Sequence, residues 1–441
     1  MQQANALEVL KTGANVFLTG EAGSGKTYVL NQYIDWAKES GLSVAVTAST
    51  GIAATHLNGR TIHSWSGIGI KDMMDEKTLS YLENNDDLVD RVRGTDILVI
   101  DEVSMLSHRQ LDLVNQVLQT LRETPAPFGG MQIILSGDFF QLPPIGKESR
   151  LVVAADAWSK ASFAVCYLES QHRSDDSSLS ELLAAIRSGE VDQMHFEWLI
   201  ERQVKSEEVP EGVTQLYTHN KDVDRINLEE LKKLKTDSKT YTAKHTGDAG
   251  AAEALVRNSL ITHKLKLKVG AEVMFIKNDP EGKYVNGSRG KVVSVTGPHP
   301  RVLLYSSDKE LAVTPDAWSV DGTSAGGDTT VRQLPLRLAW AVTVHKSQGM
   351  TLDQAAIDLS NTFVAGQGYV ALSRLQNLAG LFLLGINNQA MAINPDIIEL
   401  DKELHKQSDF IVSHLESHAK EDLVEKQKQF VTRRGGSWKP E

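Results

Sequence analysis

The chain carries one cysteine, Cys166, in 441 residues. A lone thiol excludes an intramolecular disulfide and a thiolate metal cluster, and it fits a reducing compartment such as the cytoplasm. No apolar run reaches the length of a bilayer span, and Met1-Gln2-Gln3 leads into the fold without a secretion-signal pattern, so no membrane partner is expected. Positive charge is also scarce: 46 Lys and Arg stand against 57 Asp and Glu, a formal charge of −11. That balance speaks against nucleic acid as a partner, because phosphate contacts come mainly from cations. It does not exclude a locally polar groove, since net charge averages over the whole surface and a protein that moves along a track must also release it.

What is present is the composition of a compact enzyme, 41% hydrophobic and 23% charged, at a length that allows two or three cores. Short β-branched runs at 15–19, 43–47, 97–100 and 132–135 predict buried parallel strands, with helical patterns at 27–39 and 109–122 between them. This alternation predicts a doubly wound α/β core over residues 1–165, interrupted by a small polar, acidic insertion at 55–94. Runs at 213–218, 339–344, 354–359 and 381–384 predict a second α/β core assembled from 166–228 and 334–415. Between its halves, residues 229–333 alternate apolar runs (KVGAEVMFI, RGKVVSV, RVLLYSS) with the turn-rich spacers NDPEGKYVNGS and TGPHP, the pattern of an inserted antiparallel β unit. The charged stretch 416–441 lacks apolar periodicity and reads as a surface helix or a frayed tail.

Chemistry concentrates in the first core. Gly20-Glu21-Ala22-Gly23-Ser24-Gly25-Lys26-Thr27 follows a predicted strand and opens a predicted helix, the context in which a phosphate-binding loop has meaning. Backbone amides around Gly23, Ser24 and Gly25 would face the phosphates, Lys26 would reach the β and γ positions, and Thr27 would ligate Mg²⁺. A later strand ends in Asp101-Glu102, one carboxylate for the metal and the next to orient and deprotonate the attacking water. A third strand delivers GDFFQLPP, placing Gln141 to bond water or the γ-phosphate. Each cluster has an ordinary alternative, a glycine-rich turn or solvated carboxylates at a strand end. All three at the carboxyl ends of strands, where open α/β sheets bind ligands, point to ATP hydrolysis with ATP and Mg²⁺ as cofactors.

The ordered strings GEAGSGKT, TASTGIAA, TIHSWSGIG, VIDEVSM, PFGG, LSGDFFQLPP, QHR, VHKSQGMT and GQGYVALSR span nearly the whole chain. Together they resemble the motifs of the PIF-type (petite integration frequency) DNA helicases of superfamily one, relatives of RecD. The resemblance implies two tandem RecA-like parallel-sheet cores, with a wedge-type insertion in the first and a β-rich, barrel-like insertion in the second. It implies that Gln3 reads the adenine edge, that Arg173 and Arg374 reach the γ-phosphate from the second core, and that Gly349 belongs to the nucleotide side. Thr50, Gly51, His63, Ser64, Trp65, His345, Lys346 and Ser347 match positions that contact single-stranded DNA. Trp65 has two readings, a base-stacking ring or a core plug. Lys283, Arg289 and Lys291 either support a DNA-holding role of the β insertion or are ordinary surface charges. His63 and His345 lack neighbours at metal-ligand spacing.

The implied activity is ATP-dependent, 5′-to-3′ translocation on single-stranded DNA by a monomer that opens duplex junctions or structured DNA. G-quadruplexes and RNA–DNA hybrids stay open as further partners. An RNA helicase of the same superfamily is the alternative within this class. A phosphate-loop kinase or nucleotide switch would explain Lys26, Thr27 and Asp101 but leave VHKSQGMT and GQGYVALSR without work, and a passive single-strand binder would not need Glu102.

Overall fold

The computed structural model describes residues 1–56, 59–69, 71, 73–144, 146, 150–169, 177–258, 261–277, 279, 281–284, 287–305, 307–320, 329–417 and 420–439. These form two compact units, Met1–Glu190 with Ala392–Glu441, and Val191–Met391.

In the first unit six strands run in parallel: β1 (Val16–Gly20), β2 (Val44–Ala48), β3 (Arg60–Thr61), β4 (Ile97–Asp101), β5 (Gln132–Ser136) and β6 (Ala164–Leu168). Their order across the sheet is β3-β2-β4-β5-β1-β6. Val, Ile and Leu fill β1, β4 and β5, which are buried on both faces, as crossover helices require of a parallel sheet. Helix Lys26–Glu39 supplies one cover, with Val29, Leu30, Tyr33, Ile34 and Ala37 buried along a helical stripe. Helix His108–Leu121 supplies another, started by a capping box in which Ser107 and Gln110 satisfy each other's backbone amides. Within the acidic insertion, helices Glu76–Glu83 and Asp86–Arg93 are each begun by a side-chain cap, from Asp75 and Asn85.

The expected PFGG signature proves to be a clasp. Phe128, at φ +51°, is fully buried, and Arg122 reaches back to the carbonyls of Gly129, Val92 and Thr95 at 2.8 Å each. A Cβ on Gly129 would lie 2.6 Å from Arg122 Cδ and 2.7 Å from the Leu118 carbonyl, so this turn requires glycine. The clasp joins the end of the insertion to the start of β5.

The second unit holds a four-stranded parallel sheet in the order Ala341–Thr343, Thr214–Tyr217, Ala355–Leu359, Leu381–Ile386. Its insertion is antiparallel as expected. Glu272–Phe275, Arg289–Ser294 and Arg301–Leu304 pair in sequence in a five-stranded sheet around Val273, Phe275, Val292, Val302 and Leu336.

The division of the chain departs from the expected one in two places. Strand β6 pairs with β1 along its whole length, so the expected boundary at 165 falls inside the first sheet. Helices Pro395–Ser417 and Lys420–Arg433 also belong to the first unit, and neither the second core nor a free tail holds them. Ser408 accepts a hydrogen bond from the Tyr167 amide at 3.1 Å, and Phe430 and Val431 enter the cluster containing Leu10, Leu30 and Tyr33. Phe430 and Val431 are the apolar residues the last helix adds to the cluster, too few to register as a periodicity, and buried Gln427 adds a bond to Glu8 at 2.8 Å. Phe430 is 9% exposed whereas Phe410 is 71% exposed. Phe430→Ala should therefore lower unfolding stability by about 3 kcal/mol, and Phe410→Ala by about 0.5 kcal/mol or less, in denaturant titrations followed by tryptophan fluorescence.

Candidate active site

Three loops leave the carboxyl ends of adjacent strands β4, β5 and β1. After β1 the chain turns through Gly20, Gly23 and Gly25, all at positive φ, before the helix begins at Lys26. Gly25 sits under the Gln3 side chain. A Cβ there would fall 2.1 Å from Gln3 Nε2, which donates to the Ser24 carbonyl at 3.0 Å. Gln3 therefore lies on the loop. Ser24 Oγ is buried with no hydrogen-bond partner among the described residues, leaving one donor available inside the loop.

Lys26 Nζ donates to the carbonyls of Gly20 and Glu21 at 2.8 and 2.9 Å. Burial pulls this ammonium below its ordinary range, while the carboxylates of Asp138, then Glu102, and more weakly Asp101, oppose the shift. Asp101 and Glu102 follow β4, and Glu102 holds a left-handed conformation (φ +51°, ψ +42°) that is uncommon for a residue with a side chain. Ser49 bonds to that stretch twice: its amide donates to the Asp101 carbonyl at 3.0 Å and its Oγ to the Glu102 carbonyl at 2.6 Å. Such local strain, maintained by neighbours, marks sites of chemistry. Gln141 lies four residues beyond Gly137, and its amide donates to the Asp138 carbonyl at 3.0 Å. Thr27 lies exposed in the first helical turn.

The first-unit positions expected to touch DNA lie elsewhere. Thr50 and Gly51 follow β2, and His63 and Ser64 follow β3, which pairs with β2 at Ala48↔Thr61. They therefore gather at the β3 edge of the sheet, beyond β4 from the phosphate loop. Gln110 Nε2 lies 3.0 Å from His63 Nε2, and burial pulls the imidazole below its ordinary range, which favours a neutral ring. Trp65 is 4% exposed and its carbonyl accepts two bonds from Arg91. The core-plug reading of Trp65 prevails, because a ring this buried offers no face to a base.

In the second unit His345, Lys346 and Ser347 form one tight turn (Val344–Ser347) after strand Ala341–Thr343. Ser347 is buried and donates to the Val344 carbonyl at 2.8 Å. Lys346 is lowered to about 8 by burial and by Arg337, against the pull of Asp224. Gly349, at φ +76°, continues that turn. Arg374 is 2% exposed, with Nε donating to the Val370 carbonyl at 2.9 Å and Nη2 to Ser373 Oγ at 2.8 Å. Arg173 lies outside the described residues. The cations of the β insertion are engaged locally: Lys283 pairs with Glu281, Lys291 with Glu211 at 3.8 Å, and Arg289 with Glu272 at 3.5 Å. Arg289 also donates to the Gly212 carbonyl at 3.1 Å, a tie within the fold.

The sequence pattern of PIF1-like helicases matches residues 2–195, and that of the 2B domain of DNA helicase Pif1 matches residues 252–295. An ATP-dependent DNA helicase Pif1 from Psychrobacter sp. (strain PRwf-1) is 41% identical, covering 99% of this chain and 76% of its own. The chain belongs to the PIF1-like helicase family. Pif1 helicase from Candida albicans has a similar structure, with a TM-score of 0.81 and 32% identity over 91% of this chain and 98% of that one. Pif1 helicase from Bacteroides, crystallised with ADP-AlF3 and single-stranded DNA, gives a TM-score of 0.70 and 28% identity over 92% of this chain and 96% of that one.

Glu102 is the side chain expected to act as the base. Glu102→Gln should leave ATP affinity within about threefold of the parent and reduce turnover by about 10³ or more, read by equilibrium nucleotide binding and steady-state hydrolysis. Hydrolysis near the parental rate would place the base elsewhere.

Proposed function

We propose that this protein is an ATP-dependent DNA helicase that moves 5′ to 3′ along single-stranded DNA and opens duplex junctions. The observation that carries this reading is the phosphate loop, the Asp101-Glu102 pair and the Gln141 loop on three adjacent parallel strands, in a chain 41% identical over 99% of its length to an ATP-dependent DNA helicase Pif1. A Bacteroides relative was crystallised with ADP-AlF3 and single-stranded DNA, the two classes of ligand that this reading requires.

In the proposed cycle the amides of residues 23–25 and the Lys26 ammonium bind the phosphates, and Gln3 selects adenine. The donor set suits Mg²⁺: one hydroxyl from Thr27 and one carboxylate from Asp101, the sparse protein shell this ion takes when phosphates complete it. When bound, the ion neutralises developing phosphate charge. Glu102 takes the proton of the attacking water, and Gln141 orients that water. Arg374 supplies positive charge to the transition state, a role that requires it to leave its bonds to Val370 and Ser373 during turnover. Gly349 serves the same nucleotide side, and Arg173 joins Arg374 as a second cation. Thr50, Gly51, His63, Ser64, His345, Lys346 and Ser347 hold the strand through its backbone, which permits stepping without reading sequence. All motifs lie in one chain, so a monomer suffices. G-quadruplexes and RNA–DNA hybrids are further substrates for the same machinery. Among the described residues no helix is long and apolar enough to cross a membrane, and the proposed setting is the cytoplasm.

Unwinding of tailed duplexes tests the function. A duplex with only a 5′ single-stranded tail should be opened in the presence of ATP and Mg²⁺, one with only a 3′ tail should not, and Arg374→Ala should open neither. The reverse tail preference would overturn the proposed direction, and no unwinding of either would overturn the helicase reading.

A further inference from the structure

Helix Ser177–Ser188 closes the first segment of unit 1, and helix Pro395–Ser417 opens the segment that returns to it. Together with the loop after β5 they enclose a charged cluster that none of the motifs above predicts. At its centre Arg187 is 6% exposed. Nη1 donates to both carboxylate oxygens of Asp138 at 3.0 Å, and Nη2 donates to Tyr167 Oη at 2.7 Å and Asp401 Oδ1 at 3.3 Å. Its guanidinium carbon lies 3.8 Å from the centre of the Phe140 ring, and Nε lies 3.9 Å from Glu21 Oε1. Tyr167 Oη donates onward to Asp401 at 2.9 Å and its ring stacks on His405 at 3.6 Å. One side chain thus touches the phosphate loop, the loop that carries Gln141, the edge strand β6 and the returning helix.

The charges around it are unequal. Glu21, Asp138 and Asp401 are carboxylates, and Asp138 is 1% exposed. A carboxylate that deep in the fold needs a cation. Arg187 engages it through both oxygens, and Lys26 also lies within its electrostatic reach. Lys26 nonetheless bonds the loop carbonyls of Gly20 and Glu21, while both oxygens of Asp138 face Arg187.

We propose that Arg187 is a positioning residue of the ATP site: by saturating Asp138 it keeps the Lys26 ammonium available to the phosphates, and through Tyr167 and Asp401 it ties that arrangement to the two segments by which the chain leaves and re-enters unit 1. The inference rests on the reading of Lys26 as the phosphate-binding lysine. Without Arg187, the buried Asp138 carboxylate loses the cation that engages both its oxygens, and its pull on Lys26 is no longer countered. The ammonium then turns from the loop toward Asp138, and nucleotide affinity falls. Neutralising Asp138 as well removes the competitor and returns Lys26 to the loop.

The test uses the full chain, with equilibrium binding of a fluorescent ATP analogue, steady-state hydrolysis and thermal unfolding measured on each variant. Arg187→Met should weaken binding and raise KM by about tenfold or more, and Arg187→Lys should fall between it and the parent. The double variant Arg187→Met with Asp138→Asn should bind within about threefold of the parent, a recovery of affinity that a merely structural role does not supply. A double variant that binds as weakly as Arg187→Met while melting at the parental temperature overturns the proposal, as does unchanged affinity in Arg187→Met. If Arg187→Met does not fold, Asp138→Asn alone decides: parental or tighter binding supports the proposal, and a tenfold loss contradicts it. Lys26→Ala separates the two readings. Parental nucleotide binding by that variant would overturn the nucleotide site itself, and a loss supports Lys26 as the group on which Arg187 and Asp138 act.

Discussion

One ammonium group, Lys26, has to serve a chain of phosphates in a neighbourhood already occupied by Asp101, Glu102 and Asp138. In the proposed cycle Asp101 holds the metal and Glu102 takes the proton of water, while Asp138 pairs with Arg187. The layout of the first sheet makes this crowding workable. Because β4, β5 and β1 are neighbours, their carboxyl-end loops converge, and because the strands are parallel each loop arrives from the same side. Backbone fixes the rest: glycines at positive φ bend the phosphate loop, and Ser49 holds Glu102 in its left-handed conformation. Arg187 balances Asp138 from behind.

In the proposed reading the same sheet separates two tasks. Its β1–β4 side gathers the nucleotide loops, and its β3 edge carries Thr50, Gly51, His63 and Ser64. In the proposed reading a protein of net charge −11 can hold a polyanionic track this way, because hydroxyls and backbone amides on a short edge suffice for contacts to a strand backbone.

Local features of this architecture were legible in the residues. Strands β1, β2, β4 and β5 begin and end within a residue of the apolar runs that announce them, because a buried parallel strand is a contiguous signal. The antiparallel insertion was equally plain from its turns. What escaped was held by few residues across long separations. Arg187 resembles any basic residue in the last turn of a helix, and its partners Asp138, Tyr167 and Asp401 lie 49, 20 and 214 positions away. The final helix docks through Phe430 and Val431 inside an otherwise charged stretch, so its attachment to the first unit carried no periodic mark. Trp65 was undecided because a Trp in a tight turn has the same neighbours in sequence whether it faces a base or the core.

The central claim is that hydrolysis at the Lys26 site drives movement on DNA, and coupling between the two is its direct consequence. The decisive measurement is the steady-state rate of ATP hydrolysis with no nucleic acid, with single-stranded DNA, and with RNA of equal length. The account predicts a rate raised at least about tenfold by single-stranded DNA and much less by RNA. Hydrolysis indifferent to nucleic acid would contradict it.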